Sequence, residues 1–416
     1  MENHSNKSTS TNLINVFIKF LTEPIFVGKL LLENRKVFFK YDEDFIKLGM
    51  NLSPFRLKYN SEIQIAPLDP FHGLFGLFSD SLPDGWGLLL LNRALSKLGL
   101  TLNDISVLDQ LAYVGESGKG AMIYRPVKEI GLKEQSELNL DQLKTDMDEV
   151  YSGNDVDVID KLMNLGGSSG GARPKANVGY NSLTNQLIHG HDFLPVGFEH
   201  WIIKFPNAED PLDIANIEYA YYKMATTAGI EMSECRLLNS KKGLQIFATK
   251  RFDREGNNRI HMHSMAGLTH DNFRMSSIDY GHIIDIAYRL ERSVKSRETV
   301  FRLAAFNVYS HNRDDHSKNF SWLMNSKGEW KFSPAYDLTY SSTSIDEHAT
   351  RIAGEGANPG RKNLLELAKE FNIQNAEIII NQVQEAIAEW STIAAKCGVS
   401  KSSISIIQKK LKQLKD

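Results

Sequence analysis

The chain has 416 residues, 42% hydrophobic and 24% charged, the usage of a folded protein with two or three compact units. Its 48 basic and 51 acidic residues leave a formal net charge of −3, which excludes a protein that coats nucleic acid through a broad cationic surface. Two cysteines, Cys235 and Cys397, exclude a disulfide framework and a thiolate zinc site, and no apolar run approaches the roughly 18 residues of a membrane span; a cytoplasmic protein with no membrane association is expected.

Residues 1–12 are rich in Ser, Thr and Asn and are expected to form a disordered tail. The segment FIKFLTEPIFVGKLLLENRKVFFKY then alternates as strands of a small sheet, opening a first unit over 13–125. LPDGWGLLLLNRALSKLG places Pro83 near a helix start and Gly99 just past its end, with Leu89, Leu90 and Ala94 facing inward, and this helix is expected to cover that sheet. From 126 to about 165 the chain turns polar and acidic, which reads as solvated helices bridging to the rest of an α/β unit that runs to 276. That unit holds a glycine-rich loop from Gly166, strands near 175–180, 200–205 and 244–251, and a helix near 212–229. Residues 277–416 are mostly helical, with core stripes at Ile379, Val383, Ile387 and Trp390 and at Ile404, Ile407, Leu411 and Leu414.

The chemistry concentrates in His311-Asn312-Arg313-Asp314-Asp315-His316-Ser317-Lys318-Asn319, where Asp314 and Asn319 enclose four residues. Protein kinases use the spacing Asp-x-x-x-x-Asn so that the Asp accepts the proton of the substrate hydroxyl while the Asn binds magnesium. Asn312 interrupts the usual His-Arg-Asp order. Downstream, Asp337 in SPAYDLTYS is the natural second magnesium ligand, although it lacks the Phe and Gly of the usual triplet and would equally suit a helix cap.

Upstream, Lys204 ends the strand-like HWIIKF and would pair with nucleotide phosphates, steadied by Glu218 on the following helix. The plainer reading has Lys204 snorkelling from an edge strand and Glu218 on a solvated face. Gly166-Gly167-Ser168-Ser169-Gly170-Gly171-Ala172-Arg173-Pro174-Lys175 offers backbone N–H groups and two cations to phosphate, or is a plain linker. Glycine loop, lysine, glutamate, Asp-x-x-x-x-Asn and metal aspartate succeed one another in the order in which kinases carry them. The second glycine cluster, Gly115 to Ala121, fails the Walker pattern and reads as a turn. His189 with His191, and His261 with His263, read as surface histidines, and Lys250-Arg251-Phe252-Asp253-Arg254 as a solvated strand end or a segment joining two lobes.

Through GGARPK, WIIKF, KRFDR, DDHSKNF and SPAYDL, together with SLPDGWG and VGESGKGA nearer the start, the chain resembles the HipA family of bacterial serine/threonine kinases, toxins of toxin–antitoxin operons. The resemblance implies an α+β, two-domain protein-kinase-like fold, with a mixed α/β N-terminal domain, a mostly helical C-terminal domain and ATP in the cleft between. It implies Asp314 as catalytic base, Asn319 and Asp337 as Mg²⁺ ligands, and an ATP site of Lys204, Glu218, Gly170, Gly171, Ala172, Arg173, Lys175, His316 and Lys318, with backbone from Phe247 to Lys250 near the adenine. Ser168 falls where relatives carry an inhibitory autophosphorylation serine, with Ser169 adjacent; Arg173-Pro174 stands where Gln-Glu is common. The implied partners are a HipB-like helix-turn-helix antitoxin, DNA only through that antitoxin, and a translation-related protein substrate, an aminoacyl-tRNA synthetase being a candidate. A small-molecule kinase and a catalytically inactive scaffold for antitoxin and DNA are the alternatives.

Overall fold

The computed structural model describes residues 10–128, 137–153, 158–166, 171–190, 192–341 and 346–413. Most of the expected tail, and also Ser168, Ser169, Gly170, His191 and Leu414, lie outside that set. Thr11, assigned to the tail from sequence, is buried and donates its N–H to Asp109 Oδ1 at 2.8 Å.

The first sheet is antiparallel and contains β1 (Leu13–Ile18), β2 (Ile25–Glu33), β3 (Lys36–Tyr41), β4 (Gln64–Ile65) and β5 (Met122–Arg125), in the order β4-β3-β2-β1-β5. Asn34 and Arg35 both adopt positive φ between β2 and β3, the conformation a two-residue hairpin needs to match strand twist. Alternate residues Ile14, Val16 and Ile18 point into a core that includes Leu108, Leu111, Ala112 and Val114 of the Val107–Val114 helix.

The helix that sequence periodicity places on this sheet, Gly85–Lys97, packs elsewhere. Its Trp86, Leu90 and Ala94 join the core of a second antiparallel sheet, formed by β6 (Lys175–Asn181), β7 (Gln186–His189), β8 (Glu199–Lys204), β9 (Cys235–Asn239) and β10 (Gln245–Lys250), ordered β7-β6-β8-β10-β9. An apolar stripe says which side of a helix is buried, not which sheet meets it, and the Val107–Val114 helix already covers the first. The acidic stretch likewise yields cover, since Leu143, Met147, Val150, Ile159, Leu162 and Leu165 of the helices Leu140–Ser152 and Val158–Gly166 are buried against the second sheet.

Strand parity divides that sheet. Ala176, Trp201, Ile203 and Ala248 face those helices, whereas Lys175, Lys204 and Phe247, which stand side by side in register, face the other way. On that second face lies the helix Ile214–Thr227, whose Ala215 packs on Phe247 and Cys235 while its Ile217, Ala220, Tyr221 and Met224 enter the C-terminal core. One helix is thereby common to both halves.

The C-terminal part is built on helices that include Tyr280–Glu291, Val294–Tyr309, Ala376–Ala388 and Lys401–Gln413. Ile379, Val383, Ile387, Trp390, Ile407 and Leu411 are buried there and Ile404 is partly buried, as their spacing predicts. A three-stranded sheet of His261–Ser264, Ser321–Met324 and Trp330–Phe332 interrupts the helices.

Two readings are corrected. His261 and His263 are fully buried rather than on the surface: His263 is held by Asp80 Oδ2 on Nδ1 at 2.6 Å and by Ser53 Oγ on Nε2 at 3.0 Å, which ties the first unit to the third sheet; His189 is buried as well. Three charges of the KRFDR segment are also interior: Asp253 bridges Arg251 (2.7 Å) and Arg254 (2.9 Å) and accepts the Gly120 N–H at 2.7 Å, so the second glycine cluster sits on this ion triad. Charge patterning alone suggested solvent because buried ions are rare unless paired. Removing the anion leaves two buried guanidinium groups uncompensated, so Asp253→Ala should cost about 3–5 kcal/mol of folding free energy in urea denaturation; a loss below about 1 kcal/mol would show that the triad is solvated.

Candidate active site

The cleft lies where the lysine face of the second sheet meets the loop after the Val294–Tyr309 helix. Its upper wall starts at Gly171, φ +82°, where a side chain would run into Lys175 Nζ, 2.8 Å from an ideal Cβ. Lys175 then opens β6 with its ammonium buried. Burial pushes it down to about 8, with Lys204 and Lys119 adding repulsion and Asp337 opposing them.

Lys204, the cross-strand neighbour of Lys175, has only 11% of its side chain exposed. Its ammonium contacts two carboxylates, Glu218 of the Ile214–Thr227 helix and Asp337 of the C-terminal half. Although burial disfavours its charge, Asp337 and Glu218 outweigh that and raise its pKa, so the lysine stays cationic. Asp337, also desolvated, is held well below the ordinary carboxylate range by Lys204 and Lys175. Arg173 completes this wall, with Nε 3.1 Å from Asp210 and Nη1 3.5 Å from Glu218.

The lower wall follows the end of the Val294–Tyr309 helix, where His311 takes a positive φ and turns the chain. Of the two adjacent aspartates, Asp315 is fully committed inward: it accepts from Tyr280 Oη at 2.9 Å, His348 Nδ1 at 3.0 Å and the Thr350 N–H at 3.2 Å. Asp314 therefore faces the cleft, with 64% of its side chain exposed and His316 Nε2 3.9 Å away. The cleft walls raise its pKa by desolvation, reinforced by Asp337 and Asp315 and opposed by His316 and Arg173. Asn319 ends a single tight turn and donates Nδ2 to the Asp314 carbonyl at 2.7 Å, leaving its Oδ1 as a donor oxygen. Tyr336 Oη donates to the Lys318 carbonyl at 2.6 Å, so the residues just before Asn319 and Asp337 are bonded to each other. Asp337 itself sits at φ +54°.

The structure thus brings Lys175, Lys204, Glu218, Arg173 and Asp337 into one charge network, with Asp314, His316, Lys318 and Asn319 on the facing loop. Phe247 lies beneath Lys204, its ring centroid 5.4 Å from Nζ, while Ala172 accepts from Tyr151 Oη at 2.8 Å. Lys250 does not join them: it is paired with Trp201 on the opposite face of the sheet and its ammonium meets Glu199 at 2.5 Å, leaving only its backbone on the cleft side. Gly170, Ser168 and Ser169 lie outside the described residues. Sequence reading missed Asp84, whose carboxylate contacts Lys318 and accepts the Gly171 N–H at 2.6 Å, because an Asp before a helix reads as a cap. It also missed Asp210, for which no spacing signal exists.

The model of the HipA-like C-terminal domain matches residues 167–391 and that of the HipA N-terminal domain matches 19–125. The chain belongs to the HipA family. Among solved structures it is similar to HipA of the Shewanella oneidensis MR-1 toxin–antitoxin system, determined with HipB and operator DNA, at 15% identity and TM-score 0.66 over 96% of this chain and 95% of that one. The Helicobacter pylori proinflammatory kinase CtkA is matched at 16% identity and TM-score 0.34, over 52% of this chain and 92% of that one. No curated protein matches. The architecture is HipA-like, α+β in two domains, and among the described residues no helix is long and apolar enough to cross a membrane.

The lowered pKa of Lys175 has a signed consequence for any anion held in the cleft. The ammonium is lost as pH rises through about 8 rather than the ordinary 10.5. In the free protein, the affinity for inorganic triphosphate should therefore fall above about pH 8, and Lys175→Met should flatten that limb of the binding profile; an unchanged alkaline limb would remove Lys175 from anion binding.

Proposed function

We propose that this HipA-family chain is an ATP- and Mg²⁺-dependent protein serine/threonine kinase acting as the toxin of a toxin–antitoxin pair. The observation that carries the reading is the buried Lys204 ammonium gripped by Glu218 and Asp337, with Asp314 and Asn319 on the facing loop. A phosphate-binding lysine needs one partner to fix it and a place beside it for a charged ligand, and Glu218 and Asp337 stand in those two positions around Lys204.

Lys204, Lys175 and the backbone N–H groups at the glycine-loop exit would hold the triphosphate, and Glu218 fixes the reach of Lys204. Asp337 and the free Oδ1 of Asn319 form a sparse hard-oxygen donor set, which suits Mg²⁺ because that ion keeps water and phosphate oxygens as its other ligands; when bound it neutralises charge on the phosphates. Asp314 accepts the proton of the incoming hydroxyl, and a carboxylate made more basic by its surroundings is a better acceptor.

A HipB-type helix-turn-helix antitoxin is the expected partner, since the Shewanella protein was determined with HipB and its operator, and DNA would be reached only through it. The substrate class is a translation-related protein, with an aminoacyl-tRNA synthetase as first candidate, and Ser168 or Ser169 is the site of autophosphorylation. Phosphate there would add about two negative charges to the glycine-rich segment and so weaken ATP binding. The deciding experiment follows label from γ-labelled ATP onto protein. Asp314→Asn, an isosteric change, should retain the wild-type melting temperature while transfer falls by about 10²–10⁴-fold and growth arrest is lost; arrest that persists in this variant would refute the reading.

A further inference from the structure

Asp84 occupies the N-cap of the Gly85–Lys97 helix yet makes no capping hydrogen bond with its side chain. An Asp in that place ordinarily accepts from the N–H two or three residues on. Here both carboxylate oxygens turn away from their own helix: Oδ1 accepts the Gly171 N–H at 2.6 Å and Oδ2 contacts Lys318 Nζ. Burial works against its charge, but Lys119 and Lys318 hold it well below the ordinary carboxylate range, so it is an anion in the cleft.

The surrounding backbone is shaped to the same end. A side chain at Gly85 would place its Cβ 2.2 Å from the Gly171 carbonyl oxygen, so the two backbone segments touch directly. The Trp86 N–H donates to that carbonyl at 2.9 Å, and Trp86 Nε1 donates to the Lys175 carbonyl at 3.1 Å. The Trp86 ring stacks at 5.4 Å on Tyr151, whose hydroxyl reaches Ala172. Asp84 belongs to the N-terminal domain match, whereas Gly171 and Lys318 belong to the C-terminal one.

We infer that Asp84 is a positioning residue of the kinase site: one carboxylate from the N-terminal domain fixes both the exit of the glycine loop, through Gly171, and the cation of the catalytic loop, Lys318. The inference rests on the kinase reading and adds to it that the catalytic half is incomplete without the domain that precedes it. The two oxygens have separable duties. Oδ1 sets the backbone against which phosphates bind, and Oδ2 sets where the Lys318 charge stands during transfer.

Asp84→Asn keeps an acceptor for Gly171 but loses the charge on Lys318, so in the full-length chain kcat should fall about tenfold while KM for ATP stays within about twofold. Asp84→Ala should additionally raise KM about fivefold and speed hydrogen exchange at the Gly171 amide. In a Lys318→Met background Asp84→Asn should have no further effect on kcat, since coupled groups are not additive. Wild-type kcat in Asp84→Asn, an equal drop in the Lys318→Met background, or failure of both Asp84 variants to fold would overturn the inference. Should the wild type transfer no phosphate, the kinase reading falls by itself, and the exchange rate at Gly171 alone decides the anchor: a rate unchanged in Asp84→Ala would refute it.

Discussion

A buried ammonium must have anions beside it, and the arrangement around Lys204 follows from that requirement. Lys204 ends a central strand, so its side chain cannot reach solvent without leaving the sheet face shared with Lys175 and Phe247. Glu218 supplies one counter-charge from a helix that packs on the second sheet through Ala215 and enters the C-terminal core through Ile217, Ala220, Tyr221 and Met224. Asp337 supplies the second from beyond the third sheet. Because the partners come from different parts of the chain, the ion cluster fixes the approach of the two halves as well as neutralising charge. Its energetic return is modest, since desolvation offsets much of the Coulomb gain, which is the pattern of a site kept for what it does rather than for stability.

The facing loop solves a different problem, that of presenting one carboxylate while hiding its neighbour. Asp314 and Asp315 are chemically identical, and only surroundings separate them. Tyr280, His348 and Thr350 consume the oxygens of Asp315 and anchor the loop, and the anchored loop then aims Asp314 outward. The bond from Tyr336 to the Lys318 carbonyl adds a second restraint, holding the turn that carries Asn319 next to the segment that carries Asp337. Preorganisation of this kind lets a site act by placement, which is how phosphoryl transfer is accelerated.

The N-terminal domain enters the same logic through its Gly85–Lys97 helix. By covering the second sheet instead of its own, this helix delivers Asp84 and Trp86 to the glycine-loop exit, a placement that a helix packed on the first sheet could not provide. The first sheet, covered by the Val107–Val114 helix, is left as a separate layer joined to the rest by Asp80 with His263 and by the Asp253 triad.

What the sequence determined by itself was local. Period-two alternation placed the strands of the first unit and those that carry Lys175, Lys204 and Phe247, the 3.6-residue period gave the C-terminal core stripes, and the order of glycine loop, Lys204, Glu218, Asp314, Asn319 and Asp337 pointed to phosphoryl transfer, because spacing within a loop and parity within a strand are fixed by covalent geometry. Tertiary structure alone decided the rest. It sent the Gly85–Lys97 helix to the other sheet, buried Arg251, Asp253 and Arg254, turned the Lys250 side chain away from the cleft and made Asp84 a contact between domains. Each of these depends on which surfaces meet across long stretches of chain. An apolar stripe or a charged side chain states that a partner is needed and leaves open which partner it will be.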